Sequence, residues 1–206
     1  NSLVFYIDPS ISNASIENGT IDKPFNSWHD VIWKENAIYL QKRGTSEEID
    51  QLMINADSIS IGAYGIGENP IIISNSNDNA IYCLDRRGIS IRSVFIRAEQ
   101  AESAIHFQGF RTRDIIIEHC TFTNNNHAIK CIDGDKITVR YNQFNNNEVS
   151  ILSTATMSSV YYNLFSSNEK AIEITSIKSN AEIFNNTFYN NGIAIRKNYG
   201  HLSVYN

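Results

Sequence analysis

Val139-Arg-Tyr-Asn-Gln-Phe144, Val160-Tyr-Tyr-Asn-Leu-Phe165 and Ile183-Phe-Asn-Asn-Thr-Phe188 share one pattern: aliphatic, two variable positions, Asn, one variable position, Phe. Upstream, Ile117-Glu-His-Cys-Thr-Phe122 and Ile91-Arg-Ser-Val-Phe-Ile96 fit the same frame, and a further copy starts at Val204. The closing residues fall at 96, 122, 144, 165 and 188, in steps of 26, 22, 21 and 23. A second column keeps the same period: Ala80-Ile81, Ala104-Ile105, Ala128-Ile129, Ser150-Ile151, Ala171-Ile172 and Ala194-Ile195. Two columns in step along half of the chain mark a stacked repeat protein.

The period and the local pattern choose the architecture. Runs such as Lys136-Ile-Thr-Val-Arg140 alternate with period two and are rich in β-branched residues, which marks short strands with one buried face. Polar clusters separate them, namely Asn124-Asn125-Asn126, Asn145-Asn146-Asn147, Ser166-Ser167-Asn168 and Asn190-Asn191-Gly192. A leucine-rich frame is absent. The reading is an all-β parallel β-helix, a β-solenoid of about 21–26 residues per rung, with rungs stacked roughly 4.8 Å apart. Equivalent residues then lie above one another, and Asn142, Asn163 and Asn186 are expected to form an amide ladder running up the axis.

Residues 1–36 are read as an N-terminal strand followed by a short capping helix, and 37–206 as the solenoid. Ser27-Trp-His-Asp30 has the form of a helix start, with Trp28, Val31 and Ile32 on one side. Such a helix would shield the first rung from edge-to-edge association. Ala37-Ile-Tyr-Leu40, Ser58-Ile-Ser-Ile61 and Pro70-Ile-Ile-Ile73 are expected to be early strands, and Gln41–Asp50 a protruding loop. Because the sequence stops within a repeat, it is expected to belong to a longer chain or to meet a secretion or surface-anchoring partner.

Composition narrows the functional classes. With a net charge of −5 and no block of like charges, the chain offers no electrostatic footprint for nucleic acid. No apolar run is long enough for direct membrane insertion. Cys83 and Cys131 fall in one inward column two rungs apart, beyond disulfide reach. The three cysteines are therefore expected to be buried free thiols packing as small hydrophobes.

Phe5-Tyr-Ile-Asp-Pro9, Asn18-Gly-Thr20 and Pro24-Phe25, followed by Ile59-Ser-Ile-Gly-Ala-Tyr-Gly65 and Glu68-Asn-Pro-Ile71, resemble segments of secreted bacterial right-handed β-helix proteins of the pectate-lyase-like superfamily. The resemblance spans essentially the whole chain. It implies the right hand of the coil and a secreted or cell-surface location. It does not choose an activity, since the superfamily holds lyases, hydrolases, epimerases, tailspikes and adhesins.

Lyases of that superfamily use a Lys or Arg base, a second cation and often Ca²⁺. The strand following each Ala-Ile pair offers an outward column for such groups: Tyr82, His106, Lys130, Leu152, Glu173 and Arg196. Lys130 would accept the proton, and Arg196 or His106 would steady a uronate carboxylate. Asp133 and Asp135, with Asp114 or Glu118 one rung back, form a candidate Ca²⁺ cluster, although Asp-Gly is also a turn dipeptide. The Asn-Lys-Ser and Arg-His-Gly elements of family 6 lyases are missing, their places held by Cys131-Ile-Asp133 and Ser153-Thr-Ala155. So are the Asn-Thr-Asp, Asp-Asp and Gly-His-Gly elements of pectin hydrolases. A second candidate is aromatic. If the column Arg92, Glu118, Arg140, Tyr161, Phe184, Tyr205 faces outward, Tyr161 and Phe184 begin a stripe suited to sugar rings. The expected function is thus a secreted polysaccharide-active or polysaccharide-binding protein, with a uronan-lyase-like enzyme as its catalytic form; the alternative is a non-catalytic surface solenoid serving as adhesin, stalk or glycan-binding module.

Overall fold

In a computed structural model describing residues 2–11, 17–175 and 180–206, the chain coils through three parallel sheets in fixed order. The first, of nine strands, runs from Leu3–Ile7 and Ala37–Lys42 to Asn180–Phe184 and His201–Tyr205. The second and third have seven strands each, beginning at Ser46–Ile49 and at Leu52–Ile54. Each circuit visits first, second and third sheet before returning one rung up, giving about seven turns. Crossovers between parallel strands take the right-handed path, and the fold is an all-β right-handed parallel β-helix.

The register confirms both sequence columns. Ile96, Phe122, Phe144, Phe165 and Phe188 pair in succession along the second sheet. The rings of the last four stack at 5.0, 4.8 and 5.1 Å. Ile81, Ile105, Ile129, Ile151, Ile172 and Ile195 do the same on the third. Cys83, Cys120 and Cys131 are buried free thiols, Phe107 separating the first from the third. Together these columns form one dry axial core.

Two corners bind the rungs vertically. Between first and second sheets, Asn142 Nδ2 donates to Asn163 Oδ1 (3.0 Å), and Asn163 Nδ2 to Asn186 Oδ1 (3.0 Å). Each amide also donates to a backbone carbonyl of the rung before, Ile117 O for Asn142 and Val139 O for Asn163. Between second and third sheets a parallel ladder, not foreseen, runs through Asn125, Asn147, Asn168 and Asn191. In both corners the residue before each ladder Asn adopts a left-handed backbone: Tyr141, Tyr162 and Asn185 in one, Asn124, Asn146, Ser167 and Asn190 in the other. That bend turns the chain while keeping the Asn inward.

Three expectations are corrected. Trp28–Asp30 is a single 3₁₀ turn and no capping helix forms, although Ser27 does accept from His29 N as its cap. Ile32 points to solvent, 73% exposed. The first rung is covered instead by Trp28, whose Nε1 donates to the inward Gln41 (2.8 Å), with Trp33 stacked beside it. Gln41–Asp50 is not a protruding loop: Ser46–Ile49 is the first strand of the second sheet, with Ile49 in the core. Its Glu-Glu pair hid the strand, because one carboxylate, Glu47, is bonded to Ser27 Oγ and Trp28 N. Finally, the rung between Ser60 and Ser90 takes 30 residues, more than the repeat suggested.

Asn163→Ala removes the acceptor of two Asn142 donors and the donor to Val139 O. Burying those orphaned groups should cost about 3 kcal/mol, against less than about 0.5 kcal/mol for the exposed Asn145→Ala. Urea unfolding measures both; equal losses would contradict the ladder's structural weight.

Candidate functional site

The outward column of the third sheet is assembled as the repeat requires. His106 pairs with Tyr82 and Lys130, Lys130 with Leu152, Leu152 with Glu173, and Glu173 with Arg196. Its chemistry, however, is closed on itself. Lys130 Nζ is bonded to Glu102 Oε1, whose carboxyl that lysine holds below its usual range. Glu173 sits between Lys170 (3.2 Å) and Arg196 (3.5 Å). The Tyr82 hydroxyl donates to Gln108 Oε1 (2.9 Å). Opposite charges in neighbouring rungs thus satisfy one another, an arrangement of modest stabilising value.

His106 is the exception in this column. It is 6% exposed, edge-on to Tyr82, and neither ring nitrogen finds a partner among the described residues. Burial, reinforced by the Lys130 charge, pushes its pKa down to about 4. The imidazole is therefore neutral at physiological pH and adds no positive charge for a carboxylate.

The acidic candidates do not converge. Asp133 holds a left-handed turn position, and Asp135 Oδ1 accepts from Lys136 N. Glu118 is engaged by Arg140 (2.6 Å) and Arg92 (3.7 Å). Among the described residues no three His, Cys, Asp or Glu side chains could hold one ion. The Ca²⁺ reading of Asp133 and Asp135 is not supported, and the turn reading explains them.

Tyr161 and Phe184 do face outward, in one column with Tyr205. Their rings stack on each other at 4.8 and 5.1 Å, within 5° of parallel. The ring faces are consequently covered by neighbouring rings, and the Tyr161 hydroxyl accepts from Arg140. What they stiffen is the corner beside them.

That corner carries side chains missed in the sequence. His119, Tyr141 and Tyr162 stack outside it, at 5.2 Å for each pair. Tyr141 and Tyr162 are 44% and 48% exposed. Both have a left-handed backbone, φ 57° and 54°, which costs a non-glycine residue roughly 1–2 kcal/mol and least for Asn or Asp. At the other corner the equivalent positions are Asn or Ser. Stacking offsets part of the difference, about 0.5–1.5 kcal/mol per ring pair. The bend demands a left-handed residue; it does not demand an aromatic one.

Beside this corner the outward column of the second sheet, Ile71, Phe95, Thr121, Gln143, Leu164 and Thr187, floors two clefts placed end to end. One, of about 480 Å³, is lined by Arg43, Glu68, Asn69, Ile71, Phe95 and Thr121, and its wall comes from the extra residues of the long rung. The other, of about 440 Å³, is lined by His119, Tyr141, Gln143, Tyr162, Leu164 and Thr187. The only available signal was that Tyr141 and Tyr162 share one place in the repeat.

No curated protein matches the chain in sequence. Two crystal structures of a GH136 lacto-N-biosidase from Eubacterium ramulus, native and selenomethionine, are similar over 98% of this chain and 68% of theirs. Identities are 11% and 10%, with TM-scores of 0.48 and 0.47. No helix among the described residues is long and apolar enough to cross a membrane.

Residues 29–206 match a family described as "Periplasmic copper-binding protein (NosD)", in keeping with the expected extracytoplasmic location. Copper requires converging Cys, Met or His donors, and among the described residues no three His, Cys, Asp or Glu side chains come together to fit one. Cys120 and Cys131 lie inside the coil, where burial pushes their thiols up to about 12. Cys83 is raised further by the same cause. His106 is enclosed by Tyr82 and Lys130, and His119 is stacked on Tyr141.

Between pH 6.5 and about 4 the unfolded chain accepts a proton at His106 that the folded chain refuses, so stability falls as pH drops through that window. His106→Leu should lose less stability than the parent between pH 7.5 and 5 in urea titrations; identical losses would contradict the buried neutral imidazole. On the strength of the match over residues 29–206, the chain belongs to the periplasmic NosD family of right-handed parallel β-helices.

Proposed function

We propose that this protein is an extracytoplasmic, non-catalytic glycan-binding solenoid. The observation that carries the reading is the cleft beside Tyr141 and Tyr162 on the second sheet, where exposed rings, amides and hydroxyls stand together without an ion pair closing them. Aromatic groups beside a few polar ones are the usual equipment of a ligand site. The uronan-lyase reading rests on Lys130, His106 and Arg196. It meets a lysine paired with Glu102, a neutral buried histidine and an arginine turned to Glu173; proton removal needs an unprotonated amine, and carboxylate binding needs a cation that no acid already holds.

Incubation with pectate, alginate and chondroitin sulfate, with and without Ca²⁺, should give no ultraviolet absorbance from unsaturated uronates. Affinity electrophoresis in gels carrying individual polysaccharides should show retarded migration in at least one. Uronan cleavage that disappears in Lys130→Ala would replace this reading with the lyase; free migration in every gel would remove glycan binding.

A further inference from the structure

The groove of the second sheet has properties that narrow its ligand. In the cleft beside Tyr141 and Tyr162, no lining residue is an acid, Lys or Arg. Arg140, 6.0 Å from the Tyr141 ring, is bonded to Glu118 and also donates to Tyr161. An acidic sugar would lose hydration there without gaining a counter-charge. Hydrogen-bonding capacity, by contrast, is free. Among the described residues the side chains of Gln143, Asn185 and Thr187 make no hydrogen bond within the protein, nor do the hydroxyls of Tyr141 and Tyr162. Leu164, 39% exposed between Gln143 and Thr187, adds an apolar floor.

Shape agrees with that chemistry. The column from Ile71 to Thr187 repeats once per rung over five steps, on the order of 24 Å along the axis; its Thr187 half carries no acid, Lys or Arg, while its Ile71 half holds one charge of each sign, Glu68 and an Arg43 bonded to Asn69. A straight, open trough of that kind suits an extended chain more than a compact molecule. The tyrosines point the same way: the other corner shows that Asn serves the same bend, so Tyr141 and Tyr162 are held at a backbone cost that folding does not require.

We infer that the outer face of the second sheet, with its Tyr141–Tyr162 wall, binds an uncharged extended oligosaccharide laid parallel to the solenoid axis. The inference rests on the glycan-binding reading and specifies its site and ligand class. Leu164 and the ring edges cover the apolar faces of the sugars, while Gln143, Asn185 and Thr187 exchange hydrogen bonds with their hydroxyls.

Isothermal titration tests it with four series from disaccharide to hexasaccharide: the uncharged cello-, xylo- and manno-oligosaccharides, and the charged oligogalacturonates. At least one uncharged series should bind, gaining affinity with length, while the galacturonates bind at least about tenfold more weakly. The double variant Tyr141→Asn/Tyr162→Asn should lose at least about tenfold in affinity with its melting temperature unchanged or raised. Gln143→Ala, at an exposed position, provides a second reading should the double variant unfold. Preference for galacturonates would overturn the ligand class and leave the glycan-binding reading standing. Full affinity for an uncharged series in a folded double variant, or in Gln143→Ala if the double variant unfolds, would overturn the site. Binding of no sugar would overturn both. Self-association abolished by Leu164→Lys would make a second copy of the chain the occupant and overturn the inference.

Discussion

Every rung of this protein must set its residues directly over those of the rung below, about 4.8 Å away. That vertical registry is the constraint on which the rest depends. It is enforced most strictly where the backbone bends, by buried Asn amides that donate both to the next Asn and to a carbonyl of the preceding rung. A one-residue slip would turn inward side chains outward and leave several amides buried without partners. Stacked phenylalanines and isoleucines supply most of the buried apolar surface, yet they tolerate sliding. Amides with fixed donors and acceptors do not. Registry also explains the quiet chemistry of the third sheet, since opposite charges delivered to adjacent rungs find each other before any ligand does.

The bends carry a second consequence. A left-handed residue just before each ladder Asn faces solvent, so each corner pairs one constrained inward amide with one unconstrained outward side chain. Evolutionary choice at such a site need only accept the backbone conformation. One corner holds Asn and Ser; the other holds His119, Tyr141, Tyr162 and Asn185. The groove beside the second corner therefore draws its character from positions that the solenoid leaves open. Family membership does not supply that character: the three cysteines are sequestered in the core, and among the described residues no three His, Cys, Asp or Glu side chains come together to hold the copper of the family's description.

Much of the fold was legible because stacking writes itself into sequence as equal spacing. Both inward columns, the Asn142–Asn163–Asn186 ladder and the outward series from Tyr82 to Arg196 follow from counting. The parts that were not legible share a cause. Alternation of inward and outward positions predicts direction only along a strand, and a left-handed bend resets it: Glu118 and His119 both face out before Cys120 turns in. For that reason the second Asn ladder read as polar turns, and Tyr141 and Tyr162 did not read as a wall. Ser46–Ile49 was concealed by its acidic pair, of which Glu47 finds its partners in the opening segment. The opening segment itself has a helix-start signature, but Tyr39 bonds Ile32 O and Lys34 N, which diverts the backbone after one turn.

Backbone amide shifts during titration with an uncharged hexasaccharide test the central claim most directly. The groove predicts saturable changes concentrated at His119, Tyr141, Gln143, Tyr162, Leu164 and Thr187, with the third sheet undisturbed. Changes centred instead on His106, Lys130, Glu173 and Arg196, or no saturable change anywhere, would contradict it.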